Sequence, residues 1–285
     1  MIGIVILNYN SVSDCSKCVS SLKRQKDILY EIIIVDNCSN PEDVEQLRLL
    51  CQIEKCTLLE SKENRGYNAG NNLGLCYAAS KGYEFVLIAN PDMEFPQINY
   101  LAALVKKIET NESIAITSSD IITKEGIHQN PMKPDGNWRS SFNWVKDIFK
   151  KQKTDISSFV DDYSNSHYCE KVSGCCFLIR VSFFKSINFF DEYPFLYCEE
   201  AILARQVEFA NKKMYYNADI QAVHCHVSST KEDMIQRFKH WKRSRIYYYK
   251  QYSKDSYIGN LIAILSVHLY VGMIFLYTKF DKVRH

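Results

Sequence analysis

Short apolar runs rich in β-branched residues alternate with stretches of helical period through residues 2–108, and each run stops at a cluster of polar side chains. This is the pattern of parallel strands joined by crossover helices, because a strand covered by helices on both faces is apolar along its whole length. Residues 2–7, 31–35, 56–60 and 85–88 read as the strands. Val12, Cys15, Val19 and Leu22 recur at threes and fours within residues 12–25. Val44, Leu47 and Leu50 recur at threes after Pro41, a residue suited to a first helical turn. Residues 69–80 put Ala69, Leu73, Cys76 and Tyr77 on one face, and a fourth helix is expected over residues 98–108. The fold expected is a doubly wound α/β sheet, whose ligands lie beyond the carboxyl ends of the strands. Asn8 with Asn10, Asp36 with Asn37, and Asn90 with Asp92 stand at those ends.

The rhythm breaks over residues 123–168, where Gly126, Pro131, Pro134 and Gly136 predict an insertion or loop with a short helix at residues 142–150. An apolar run resumes at residues 172–179, Glu199 opens a helix through Ala210, and short strands at 213–216 and 222–223 are expected around His224. From residue 231 the chain turns basic, with eight Lys and Arg against Glu232, Asp233 and Asp255 over residues 231–255. Residues 258–278 then carry no charge, and approach the ~20 residues that cross a bilayer. Lys250 and Lys254 on one side, Lys279, Lys282 and Arg284 on the other, and seven tyrosines between 247 and 277 suit a helix at an anionic leaflet. Three readings of this tail stand open, in the order interfacial helix, core helix, spanning helix; His268 near its centre weighs against the last.

A chain of 285 residues allows one large domain or two small ones. Its 35 Lys and Arg against 33 Asp and Glu leave no case for nucleic acid as the main partner. Neither GxxxxGK[ST] nor a GxGxxG after a strand is present, which argues against a P-loop NTPase or a dinucleotide oxidoreductase. Eleven cysteines, an odd number, follow an opening MIGIVILNYN without a basic leader region, so a reducing cytoplasm is expected. Cys15 and Cys18 lack a second pair at metal-binding spacing, and Cys175-Cys176 sits in an apolar run; both pairs read as small buried residues.

Asp36 and Asp92 end strands on opposite sides of the switch point, so both face one crevice that suits a nucleoside diphosphate. The first carboxylate can accept from a ribose or base. The second can hold Mg2+ or Mn2+, hard cations that take further oxygen ligands from substrate phosphate. Glu199 and Glu200 either complement a helix dipole or do chemistry, and the apolar Phe195-Leu196-Tyr197-Cys198 before them favours chemistry. His224 and His226 flank Cys225; each alone is more often structural than a ligand.

Taken in order, Ile4-Val5-Ile6-Leu7-Asn8-Tyr9-Asn10, Ile33-Ile34-Val35-Asp36-Asn37-Cys38-Ser39, the stretch from Glu63-Asn64-Arg65-Gly66 to Asn71-Asn72-Leu73-Gly74, and residues 87–92 resemble the family 2 glycosyltransferases of the GT-A fold. Val172-Ser173-Gly174-Cys175-Cys176-Phe177-Leu178-Ile179-Arg180 and Phe190-Asp191-Glu192 through Arg205 resemble the bacterial rhamnosyltransferase-like branch. The resemblance covers about the first 230 residues, and the ordered set is more specific than any one piece. It implies that Asn8, Asn10 and Asp36 line the nucleoside pocket, with Asn64, Arg65, Gly66, Asn72 and Asn90 also on the donor side. It implies that Asp92, the last acid of the family's DxD element, and His224 bind the metal, and that Glu200 is the catalytic base with Glu199 alongside. Three positions depart from the pattern. The DxD element is Asn90-Pro91-Asp92, the Glu-Asp pair is Glu199-Glu200, and the acid two residues later is Ile202.

The resemblance further implies a GT-A catalytic domain over residues 1–230, with a nucleotide-binding half at about 1–122 and an acceptor half at about 169–230, ahead of a basic and apolar helical tail over residues 231–285. The activity it implies is metal-dependent, inverting transfer from a nucleotide sugar, dTDP-L-rhamnose on this resemblance, to a lipid-linked saccharide of a surface polysaccharide such as O-antigen or capsule. Such an enzyme is expected in the cytoplasm, peripheral on the inner face of the cell membrane. A UDP-hexose donor and a catalytically silent nucleotide-sugar-binding protein stand as alternatives.

Overall fold

In the computed structural model, residues 1–149, 160–225 and 234–281 are described. Four strands arise from the four apolar runs: β1 (Ile2–Asn8), β2 (Tyr30–Asp36), β3 (Thr57–Glu60) and β4 (Phe85–Ala89). All pair in parallel, in the order β3-β2-β1-β4, with Asn8 level with Asp36. The crossovers are α1 (Val12–Leu22), α2 (Pro41–Glu54) and α3 (Tyr67–Ser80). Asn40 caps α2 by accepting from the Asp43 N–H, and Pro41 occupies its first turn, where a missing N–H costs nothing. Gly70 and Gly74 let α3 lie close on the sheet, since a Cβ at either would fall 2.4–2.5 Å from Leu7 or Val5.

Beyond β4 the sheet departs from the simple doubly wound expectation. Strand β8 (Cys176–Arg180) inserts antiparallel to β4 and pairs antiparallel with β6 (Ile114–Thr123), which runs parallel to β9 (Lys213–His224). At the far edge β5 (Met93–Glu94) joins β9 antiparallel, and β7 (His167–Cys169) also pairs with β9. The two short strands expected around His224 are thus one strand. Residues 218–220 loop out of its ladder. Strand β6 has no counterpart in the apolar reading, because Thr117, Ser118, Ser119 and Asp120 interrupt its hydrophobic run while being buried. Three of the four are satisfied inside: Ser118 donates to the Cys176 carbonyl, Ser119 meets the Tyr100 hydroxyl, Asp120 accepts from Gln221, and Asn130 donates to the Ser118 hydroxyl and the Ser119 carbonyl, while the Thr117 hydroxyl is buried without a partner.

The sheet has an apolar layer on each face. One holds Ile4 and Ile6 with Cys15, Cys18 and Leu22 of α1, Leu47 of α2 and Leu104 of α4 (Tyr100–Glu109). The other holds Val5 with Leu75 and Ala78 of α3, Phe183 and Phe184 of α6 (Val181–Ser186), and Leu203 and Val207 of α7 (Glu199–Phe209). Cys15, Cys18, Cys175 and Cys176 are free buried thiols, as expected.

The last two helices, α8 (Met234–Gln251) and α9 (Tyr257–Asp281), pack on α7. Ala201 and Ile202 share a core cluster with Tyr248, Tyr249, Ala263 and Val267. The insertion supplies a 3-10 turn, Trp138–Phe142, and α5 (Asn143–Phe149), matching the helix expected there up to residue 149; Lys150 lies outside the described residues. Both dock on α9: the Trp144 indole donates to the Ser266 hydroxyl at 2.9 Å, and Trp138 lies against Gly259. The opposite face of α9 exposes Ile258, Leu261, Leu265, Leu269 and Leu276, all at 49% or more. The helix is apolar enough over Tyr257–Leu276 to cross a membrane by length and composition. It packs on the domain by one face and leaves the other exposed.

Candidate active site

The short pairing of β5 with β9 places Met93 opposite His224, and thereby draws Asp92 and His224 together across 132 residues of chain. The His224 Nε2 and an Asp92 carboxylate oxygen are 3.3 Å apart, both side chains mostly buried. The backbone carbonyl of Asp92 accepts from the Cys225 N–H, which locks the pairing. On its far side the His224 Nδ1 lies 2.8 Å from the Gln129 amide oxygen. One carboxylate and one imidazole form a donor set that fits Mg2+ or Mn2+ taking its other ligands from water and substrate phosphate. No group of three or more potential His, Cys, Asp or Glu ligands occurs among the described residues. His226 lies outside the described residues.

Across the crevice, Asp36 is buried, and its two oxygens accept from the Asn8 amide and the Ser39 N–H. Asn8 is wholly buried, donating to Asp36, Ser39 and Asp43 and accepting from Ser11 and Cys15. It braces the two strand-end loops. The Asn72 amide donates to the Phe190 carbonyl and to Glu192 and accepts from the Phe190 N–H. Asn10 stays exposed, its side-chain oxygen accepting from Asn40. Asn64 accepts from the Asn37 amide and the Gly66 N–H, while Arg65 is exposed and paired with Glu192 at 2.6 Å. Gly66 has φ +97°, and a Cβ there would meet the Phe195 carbonyl oxygen at 2.2 Å. Only glycine fits where this loop crosses the segment leading to the glutamates.

Glu199 and Glu200 open α7 after two residues in left-handed conformation, Tyr197 and Cys198. Both carboxyls are half-buried by surface and deep among protein atoms. Burial, reinforced by the Glu200 charge, pushes Glu199 up to about 8, and one of its oxygens is buried without a hydrogen-bond partner. Burial raises Glu200 as well, against its own backbone N–H, the Lys171 ammonium and the Gly174 N–H. Glu200 packs directly on Gly174, where a Cβ would stand 3.0 Å from its carboxylate oxygen. The next residue, Cys175, accepts from the Asn90 N–H at 2.8 Å. The Gly174-Cys175 turn therefore sits between the Asn90-Pro91-Asp92 loop and the glutamates. Asn90 itself is half-buried beside that turn.

Among the contacts with no sequence signal are Gln129 behind His224, Gly174 under Glu200, and a charge cluster in which Asp135 bonds Lys171 at 2.9 Å and Arg245 at 3.0 Å. Burial raises Asp135, but the two cations outweigh it and hold the carboxyl low.

The sequence profile of "Glycosyl transferase family 2" matches residues 3–187, more than half of the chain and all four parallel strands. The chain belongs to this family. Among proteins of assigned function, this family 2 chain is 28% identical over 221 residues to the low-salt glycan biosynthesis hexosyltransferase Agl10 of Haloferax volcanii, covering 77% of this chain and 63% of that one. It is 23% identical over 234 residues to rhamnosyltransferase WbbL of Escherichia coli K12, covering 79% and 83%. The match thus spans less than two thirds of the archaeal relative's own length. Two solved structures share the fold: GalNAc-T7 with UDP, GalNAc and Mn2+ (TM-score 0.62, 16% identity, 93% of this chain and 53% of that one), and mannosyltransferase PcManGT of Pyrobaculum calidifontis with GDP-Man and Mn2+ (0.60, 15%, 95% and 69%). The architecture of this family 2 member is accordingly GT-A.

Proposed function

We propose that the protein is an inverting glycosyltransferase that moves a sugar from a nucleotide donor to a lipid-linked saccharide. The observation that carries this reading is the Gly174-Cys175 turn, which sets the Asp92–His224 pair and the Glu199–Glu200 pair on its two sides. Residues 1–122 carry the donor side, with Asp36, Asn10, Asn64, Arg65, Gly66 and Asn90 near the nucleotide. Residues 169–230 carry the acceptor side. Asp92 and His224 would hold Mg2+ or Mn2+, which when bound stabilises negative charge on a diphosphate leaving group. Glu200 takes the proton from the acceptor hydroxyl as that oxygen attacks the anomeric carbon, a single displacement without a covalent intermediate. Glu199 shares the desolvated pocket, and burial raises both carboxyls above the ordinary glutamate range, the direction that suits a general base.

A rhamnose donor is supported by the rhamnosyltransferase relative, and the hexosyltransferase relative leaves a UDP-hexose as the second reading. A cytoplasmic site on the inner membrane surface is supported by the exposed leucine row of α9 beside α8, whose six Lys and Arg face no acid within that helix. The deciding experiment follows metal-dependent turnover of dTDP-rhamnose, UDP-glucose, UDP-galactose and UDP-GlcNAc with membrane lipid extract as acceptor, in wild type and Asp92→Ala. One donor turned over by wild type and not by the variant is the expected result; turnover indifferent to Asp92 or to every metal chelator sinks the proposed site.

A further inference from the structure

His224 is held from two sides, with Asp92 at its Nε2 and Gln129 at its Nδ1. Gln129 stands in a braced tripeptide. Its own N–H donates to the Ile121 carbonyl at 2.7 Å. Its predecessor His128 is fixed by Asp120 at 2.8 Å, and its successor Asn130, fully buried, bonds Ser118, Ser119 and Ser173. The Gln129 amide therefore meets the imidazole from a rigid base. An imidazole binds a cation only through a nitrogen without a proton, and an acceptor on the other nitrogen both holds the proton there and raises the basicity of the ligating one.

We infer that Gln129 is a positioning residue that keeps His224 in the Nδ1–H tautomer and so turns its Nε2 lone pair toward the cation position beside Asp92. The inference rests on the metal reading above. It also gives the insertion after β6 a part in the site: one residue of that segment orients the metal side, and the next, through Ser173, steadies the turn under Glu200.

The first test needs no metal. Imidazole nitrogen NMR on protein labelled with 15N-histidine, with the His224 signals assigned by their loss in His224→Asn, is expected to show a protonated Nδ1 in wild type at pH 8. Gln129→Met, similar in shape but without the amide, loses that preference; Gln129→Glu, which retains an acceptor, keeps it. Titration with Mn2+ alone, followed by electron paramagnetic resonance, is expected to weaken about 10- to 100-fold in Gln129→Met. An unprotonated Nδ1 in wild type overturns the inference, as does Gln129→Met matching wild type in both measurements. Asp92→Ala separates the two levels. If it loses Mn2+ while Gln129→Met keeps it, the metal reading stands and this inference fails; if Asp92→Ala also keeps Mn2+, the metal reading fails and the nitrogen spectra alone judge the tautomer. Should Gln129→Met not fold, the wild-type tautomer and Gln129→Glu still decide.

Discussion

At the scale of single residues, the adjacent glutamates set the protein's response to pH. Glu199 is raised in the folded state to about 8 from an ordinary 4.5, so between those values the folded form binds more protons than the unfolded one and stability falls as pH rises. Glu199→Gln removes that loss. Its melting temperature is expected to match wild type near pH 4.5 and to exceed it by about 2–4 °C at pH 8.5, measured by calorimetry. Glu200→Gln is expected to lower kcat by about 10²–10⁴ with little change in donor KM, and wild-type activity to rise with pH as the base ionises. Gly66 is a further single-residue constraint. Gly66→Ala must relieve both a left-handed φ and a 2.2 Å approach to Phe195, and should cost about 1–3 kcal/mol in a denaturant titration. The Gly66 result was readable from sequence only as part of a motif; its reason is a neighbour 129 residues away.

At the scale of elements, α9 has two faces with separate duties. Val267 is buried against the helices that carry Ile202 and Tyr249, so Val267→Asp strands a charge in an apolar cluster and should destabilise the fold by about 3 kcal/mol or more, lowering donor hydrolysis with it. Leu265 and Leu269 point outward, and the double change to Ser is expected to leave the melting temperature within about 2 °C while reducing adsorption to anionic vesicles about tenfold or more in a flotation assay. Equal adsorption by that variant would remove the support for a membrane surface. The cluster also explains why an isoleucine occupies position 202, where the family resemblance leads one to expect an acid. At 1% exposure beside Tyr249, Ala263 and Val267, a carboxylate there would be desolvated.

At the scale of the whole molecule, Trp138, Trp144, α8 and α9 pack together on α7. The three tryptophans, Trp138, Trp144 and Trp241, all lie at the α8–α9 contact. Intrinsic fluorescence should therefore shift when vesicles or a change at Val267 disturb α9, and stay nearly constant on addition of nucleotide; a large shift with nucleotide alone would show instead that the insertion moves with the donor site. The period of the apolar side chains determined, from sequence alone, the four parallel strands, their crossovers, and the side of the sheet on which the acids gather, because those patterns are local and burial on both faces leaves a continuous apolar record. Asp92, His224 and the two glutamates were legible as residues through motif order, but not as a geometry. Only the tertiary structure decided that β8 turns antiparallel beside β4, that β5 and β9 bring Asp92 to His224, that Asn8 and Asn72 are braces, and that β6 hides four polar side chains in the core. Those outcomes depend on strand register and on hydrogen bonds between groups far apart in the chain, where a polar residue is buried only because its partner arrives from elsewhere.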